Sequence, residues 1–336
     1  MYHGHFRGTH YEAGYRWGSL LLKHKNIILD NLPFKITQER IDYALSCLPI
    51  YEKYYPEITE EIQGLADGQR CDVRILQTVL FSMYAMPPAC SCSCFAFASE
   101  KEILLGRNSD FLTDFEKLNM NVIYRRTGST YSFTGNTTAF VEMEDGISEK
   151  GLAVGLTSVY PRQCKPGFNA GLLLRYMLEK CQDVSEPVSC LYQLPIASAQ
   201  TFTLADTTGK TALVECNGEH IQCTDSLSET SSFVCATNTF HLEEMAEYNS
   251  PEIDDWFAQT WYETLLSAFC EKGENFNLPS AERLLSGDYG FLCQYDRKTG
   301  KDTVWSVIYD LKRHKIHRCE GNPGRRRFKE DPRFSF

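Results

Sequence analysis

Long apolar runs, nucleotide fingerprints and a cationic face are all missing from these 336 residues. No stretch of 18 or more apolar residues occurs, so no helical membrane span is expected. The opening MYHGHFRGTHYEAGYRWG has neither an apolar core nor a small-residue cleavage site. No secretory signal is therefore expected, and the chain is assigned to the cytoplasm. Neither GxGxxG behind a strand nor a GxxxxGK phosphate loop is present, which argues against nucleotide binding. Lysine and arginine total 34 against 44 acidic residues, a formal net charge of −10. That balance disfavours nucleic acid and anionic membranes, both of which demand a positive surface. The single basic run, Arg325 to Arg327, reads as a solvated tail. Internal repeats and low-complexity segments are absent too.

Cysteine, by contrast, is plentiful: there are 14. Without a secretory signal these read as reduced thiols, and single ones such as Cys181, Cys190, Cys235 and Cys270 read as small buried hydrophobes. The length allows one large core or two modest domains. Residues 10–85 carry apolar positions at helical spacing, and Pro87-Pro88 ends that block. Short strand signals follow: CFAFAS and EILLG around a tight turn at 99–102, then NVIYRR, TYSFTG and GLAVGLTSVY. A clean amphipathic helix begins at Ala170 and another at Ser185. QTFTLADTTGKTALVEC reads as a hairpin, HIQCT and SFVCATNTF as strands, and residues 251–286 as helix. TVWSVIYDLKRHKIHRC closes the chain as two strands. Strands mostly neighbour strands, which predicts antiparallel sheets with helices outside, an α+β fold.

ACSCSCFAF, residues 89–97, places Cys90, Cys92 and Cys94 on one face of a strand. Three thiolates could bind zinc, but a structural site commonly takes its ligands from a second paired element, and none is present. A Cys90–Cys92 disulfide would be strained on an extended strand. A third reading comes from GRNSDF, which carries Arg107 and Asp110. The turn at 99–102 returns these residues towards the cysteines. A guanidinium beside a thiol favours the nucleophilic thiolate, and a carboxylate can hold an amine. No histidine is at hand as base. An α-amine, with an unperturbed pKa of about 7.7–8.0, would serve, provided the bond before the cysteine is cut.

The chain resembles the acyl-coenzyme A:6-aminopenicillanic acid acyltransferase-like family of N-terminal nucleophile (Ntn) hydrolases, with choloylglycine hydrolases and penicillin V acylases as distant kin. The resemblance rests on six stretches in order. They are Gly8, Glu12, Gly14 and Gly18 at the start; CSCFAF with LLGRNSDF; EDGISEKGLAVGL; GLLLRYMLEKCQDVSE with TLADTTGKTALVE; CATNTF; and TVWSVIYD. It implies a four-layer αββα sandwich and autocatalytic cleavage between Ser91 and Cys92. A helical propeptide segment, 1–91, would pack on a catalytic segment, 92–336. Within the alternating cysteines it selects Cys92 as nucleophile and, once cut, as α-amine base. Arg107 and Asp110 would flank the sulfur and Asn238 would serve the oxyanion.

The implied activity is cleavage of a linear amide, an N-acyl amino acid or peptide-like small molecule, through a thioester. Transfer of the acyl group to an amine and an uncut thiol- or metal-binding scaffold are the alternatives. Thr157, Tyr160 and Phe168 are candidate pocket residues. No cofactor and no metal are expected, and the partner is the small amide, with a homo-oligomer left open. Ser148, Thr157, Thr239 and Ser91 depart from the family pattern, and no late arginine is found in SPEIDDWFAQTWYETL. These departures put bile salts and penicillin in doubt as substrates.

Overall fold

The computed structural model describes residues 1–32, 34–86, 91–227, 232–253 and 256–336; Cys90 lies outside them. Two sheets stack face to face. One runs in the order β1 (Tyr2–Gly8), β4 (Met120–Arg126), β5 (Phe133–Thr137), β6 (Asp145–Ser148), β7 (Ala153–Ser158), β8 (Gln200–Ala205), β9 (Thr211–Cys216), β10 (Ile221–Thr224). The other runs β11 (Ser232–Ala236), β2 (Ser91–Ala98), β3 (Ile103–Leu112), β12 (Lys301–Asp310), β13 (Lys315–Cys319), β14 (Lys329–Glu330). Helices α1 (His10–Lys23), α2 (Gln38–Tyr54), α3 (Pro56–Gln69), α4 (Val73–Ser82), α5 (Ala170–Lys180) and α6 (Ser185–Leu191) share a core with the eight-stranded sheet. Helices α7 (Ala258–Lys272) and α8 (Leu278–Leu285) cover the six-stranded one. This is an αββα sandwich of mixed α+β class.

Side-chain size sorts the faces of β2. Cys94, Ala96 and Ala98 meet Ile147, Ala153 and Leu213 of the opposite sheet, so the two sheets approach on small residues. Phe95 and Phe97 point outward and pack with Phe233, Phe269 and Phe276 under α7. Burying each such ring contributes roughly 1.5–3 kcal/mol.

Two expectations need correcting. The chain opens not on a helix but on β1, paired in parallel with β4. Gly8, at φ +97°, turns the chain, and Thr9 then caps α1 in a capping box with Glu12. The helical stretch 251–286 is two helices, because Gly273 at φ +47° and the Asn277-Leu278-Pro279 cap restart the chain. Cys270 is exposed and Cys190 only half-buried.

Helices α1 and α3 cross at backbone contact. Gly14 and Gly18 on one, Gly64 and Gly68 on the other, stand where any Cβ would drive into the partner's backbone, at the carbonyls of Glu61, Leu65, Tyr11 and Tyr15. Beneath this crossing lies a buried charge network. Arg175 donates to Glu61 Oε1 at 3.1 Å and to Glu179 Oε1 at 3.1 Å. Arg126 donates to Glu61 Oε2 at 2.6 Å and Glu179 Oε1 at 3.0 Å. The hydroxyls of Tyr55 and Tyr124 donate to Glu179 and Glu61, and His10 Nε2 lies 2.8 Å from Glu179 Oε2. Burial alone would push Glu179 up, but Arg126, Arg175 and His10 hold it well below the usual carboxylate range.

Candidate active site

The β2–β3 hairpin builds the site. Its turn is closed by Ser99 N–H donating to Glu102 O at 2.8 Å. From that turn the register places Cys94 opposite Arg107, Cys92 opposite Ser109 and Ser91 opposite Asp110. Alternation along the strands sends Cys92, Cys94, Arg107 and Ser109 between the sheets. Ser91, Ser93, Asn108 and Asp110 take the α8 side, where Asn108 Nδ2 donates to Leu285 O at 3.0 Å.

Arg107 is fully buried and every polar nitrogen of its side chain is used. Nε donates to Leu156 O at 2.9 Å and Nη1 to Asp145 Oδ2 at 3.1 Å. Nη2 donates to Cys92 Sγ at 2.7 Å, with a longer bond to Glu144 Oε2 at 3.3 Å. Asp145 is itself fixed by Asn136 Nδ2, Trp305 Nε1 and Tyr309 Oη, and Glu144 by Ser109 and Thr138. Burial works against the guanidinium charge, yet Cys92, Asp145 and Glu144 outweigh it and keep the group charged. A fixed cation with an N–H aimed at sulfur stabilises the anion that attacks a carbonyl. Cys94, two residues on, receives no such bond, and burial pushes its thiol up to about 12.

Asn238 grips the other side of Cys92. Its Oδ1 accepts from Cys92 N at 2.7 Å, and its Nδ2 donates to Ser158 O at 2.7 Å. The side-chain N–H of Asn238 is therefore engaged with backbone rather than open to an oxyanion. Thr157 holds the same corner: its Oγ1 lies 2.6 Å from Thr201 Oγ1 and donates to Thr237 O at 2.6 Å. His241, beside it, is flanked by Thr237 and Thr239 and pushed down to about 4 by burial.

Asp110 sits next to the Ser91–Cys92 peptide on the opposite strand face. Thr303 Oγ1 donates to its Oδ1 at 2.5 Å, while Oδ2 is buried without a partner among the described residues. Burial pushes Asp110 up to about 7, against the pull of Thr303 and Arg107. Tyr295 Oη is likewise buried without a partner, and its titration is raised by burial first and then by Asp110 and Cys92.

Cys92 is thus in contact with both Arg107 and Asn238, with Asp110 one strand position away. Of the candidate pocket residues, Thr157 lies at the Asn238 corner and Phe168 does not. Phe168 is fully buried and packs on Tyr51, ring centroids 4.5 Å apart, in the helix–sheet core; it is a packing residue because the Phe168–Ile196 bridge turns it under α2. Thr157 spends its hydroxyl within the protein. Tyr160 is exposed, two residues past Ser158. Glu144, Asp145, Thr303 and Tyr295 were not singled out from sequence. The pair Glu144-Asp145 entering a buried strand was the available signal, since adjacent carboxylates are rarely buried without a cation. Among the described residues, no group of three or more His, Cys, Asp or Glu side chains is placed to hold a metal ion, and no helix is long and apolar enough to cross a membrane.

An αββα sandwich with a buried cysteine heading a central inner strand defines the class, an Ntn-hydrolase fold. The family model for acyl-coenzyme A:6-aminopenicillanic acid acyl-transferase matches residues 97–325, well over half of the chain, and the protein belongs to that family. The match begins at Phe97, beyond Cys92. No curated protein matches the chain. Among solved structures it is similar to a Caenorhabditis elegans N-acylethanolamine-hydrolyzing acid amidase ortholog, at 17% identity over 66% of this chain and 93% of that one, TM-score 0.49. Penicillin V acylase from Agrobacterium tumefaciens is similar at 16% identity over 68% and 82%, TM-score 0.42. A mutant of conjugated bile acid hydrolase from Clostridium perfringens is similar at 14% over 72% and 97%, TM-score 0.46.

Proposed function

We propose that the protein is an autoprocessing cysteine amidohydrolase acting on a linear C–N amide, an N-acyl amino acid or a peptide-like small molecule. The observation that carries this reading is the double grip on Cys92: Arg107 Nη2 on its sulfur and Asn238 Oδ1 on its backbone N–H, both at 2.7 Å. In maturation the Cys92 sulfur attacks the Ser91 carbonyl. The C–N bond breaks as the nitrogen takes a proton, and water then opens the resulting thioester. Residues 1–91 and 92–336 become separate chains, and Cys92 gains a free α-amine.

In turnover the same sulfur attacks the substrate carbonyl, and the α-amine takes the thiol proton and passes it to the leaving amine. Water releases the acid from the thioester. Asn238 keeps the α-amine in place through Oδ1. Its Nδ2 serves the oxyanion once it exchanges its bond to Ser158 O. Membership of an acyltransferase family favours one second reading, in which an amine replaces water in the last step. Product ratios that track added amine would select it.

Intact-mass measurement of fresh wild-type protein beside Cys92→Ala is the direct test. The expected result is two fragments divided at Ser91–Cys92 in the wild type and a single chain of 38.4 kDa in the variant. An uncut wild type that also fails to hydrolyse any amide would remove the proposal.

A further inference from the structure

Outside the candidate site, two of the cysteines meet. Cys181 Sγ and Cys190 Sγ lie 4.0 Å from each other, nine positions apart in sequence. Cys181 is the residue on which α5 ends, and its side chain is buried in the helix–sheet core. Cys190 is the last residue but one of α6 and is half-buried at the rim of that core. Backbone bonds hold the corner between the two helices. Cys181 N–H donates to Met177 O at 3.0 Å, and Val184 N–H donates to Asp206 Oδ2 at 3.0 Å. Gln182 N–H and Ser185 N–H donate to Glu186 Oε2 and Asp183 Oδ1, each at 2.7 Å. A disulfide needs its sulfurs about 2.05 Å apart. From 4.0 Å that is a movement of about 2 Å, which side-chain rotation supplies without rebuilding the corner.

The two thiols differ in reactivity. The S–H of Cys181, donated to its neighbour, lowers Cys190 to about 7 against burial and Glu186. The same bond, with burial behind it, pushes Cys181 up. Burial raises Cys94 and Cys216 to about 12. The half-buried member of the pair is therefore the one that ionises readily and meets solvent. The buried member stands directly behind it as a resolving thiol.

We infer that Cys181 and Cys190 form a reversible disulfide site, oxidised by disulfides of small thiols. The Cys190 thiolate attacks one sulfur of the small disulfide; a mixed disulfide forms and one small thiolate leaves. The Cys181 sulfur then attacks Cys190 Sγ, expels the second small thiolate and gives it the proton. The protein loses two hydrogens with their electrons, and the small disulfide is reduced to two small thiols. Neither sulfur belongs to the candidate site, so the inference stands apart from the amidohydrolase reading. Its consequence is a firmer fastening. Glu179, two residues before Cys181, is bound by His10 of α1 and by Tyr55 between α2 and α3. The new bond pins the end of the helix that carries this carboxylate.

Peptide mass tests the pairing directly. Trypsin, cutting after Lys180 and Lys210, yields a peptide that holds Cys181 and Cys190 and no other cysteine. The whole protein is incubated with cystamine, a dicationic disulfide suited to the acidic border formed by Asp183 and Glu186, then alkylated and digested. The expected peptide is two hydrogens lighter than the reduced one and takes no alkyl group, and dithiothreitol restores both alkylation sites. The oxidised protein should melt about 3–6 °C higher than the reduced one. Cys190→Ser should melt at one temperature with or without cystamine. A peptide that stays doubly alkylated, or that carries only cysteamine adducts, overturns the pairing. A disulfide that leaves the melting temperature unchanged, or a shift that persists in Cys190→Ser, overturns the fastening assigned to it.

Discussion

The protein buries two arginine–carboxylate clusters, and they differ in what they leave over. Under the α1–α3 crossing, Arg126 and Arg175 share Glu61 and Glu179, and two tyrosines and His10 complete the carboxylates. Apart from Arg126 Nη1, whose guanidinium lies over the Tyr124 ring, the charges there are matched within the protein. Between the sheets, Arg107 also has two carboxylates, but it spends one N–H on a thiol. Close by, Asp110 Oδ2 and Tyr295 Oη have no partner among the described residues. Both clusters contain strongly shifted groups. What separates the fastening from the proposed reaction centre is a thiol at the end of the chain of bonds and buried polar atoms left over beside it.

Replacing each arginine by methionine tests that distinction most severely. Arg107→Met strands Glu144 and Asp145 and is expected to cost about 3–5 kcal/mol of stability in urea titrations, while Arg175→Met leaves Glu61 and Glu179 to Arg126 and is expected to cost less. Only Arg107→Met should also abolish cleavage at Ser91–Cys92 in whatever fraction folds. If Arg175→Met folds yet stays uncut, the two clusters are not separable in this way. A smaller effect is expected from Asn238→Ala. Loss of one oxyanion donor lowers kcat by roughly 10²–10³, read from initial rates on any amide the wild type accepts. Unchanged rates would reduce Asn238 to a corner fastening like Thr157.

The smallest effect concerns pH. Asp110 is raised to about 7 in the fold, so the native state holds its proton more tightly than the unfolded chain does. Its contribution to stability is complete below about pH 4 and is lost as pH climbs to about 7. Asp110→Asn should therefore show an unfolding free energy, from urea titrations, that falls less steeply between pH 4 and 7, by up to about 1.4 kcal/mol per pH unit. Glu215, also raised to about 7 by burial, keeps some slope in both proteins. Parallel profiles would mean that Asp110 does not carry the reserve proton.

The hairpin was readable because its parts are local. A turn at 99–102 and a period of two fix which residues face Cys92, and the antiparallel, helix-covered sheets followed from strand order. Asn238 could be named only through a family pattern, since 146 positions separate it from the amide it holds. Thr303 was out of reach for the same reason: its partner Asp110 comes from the β3–β12 pairing, which no local period encodes. Phe168 misled because an aromatic in a proline- and glycine-rich loop reads as a pocket wall until its ring is seen against Tyr51. The strand β1 was hidden by its two glycines, Gly4 and Gly8, and by histidines on its exposed side.

The glycine crossing of α1 and α3 bears on how tolerance to change should be interpreted in this molecule. At Gly14, Gly18, Gly64 and Gly68 every other amino acid inserts an atom where backbone already stands. A saturation library scored for function would therefore reject all alternatives at these four sites as firmly as at Cys92. Glycine there is enforced by geometry some distance from any reacting atom. Separating the two kinds of intolerance takes a second score, the amount of folded protein: variants at the crossing should vanish from it, and those at the nucleophile should persist.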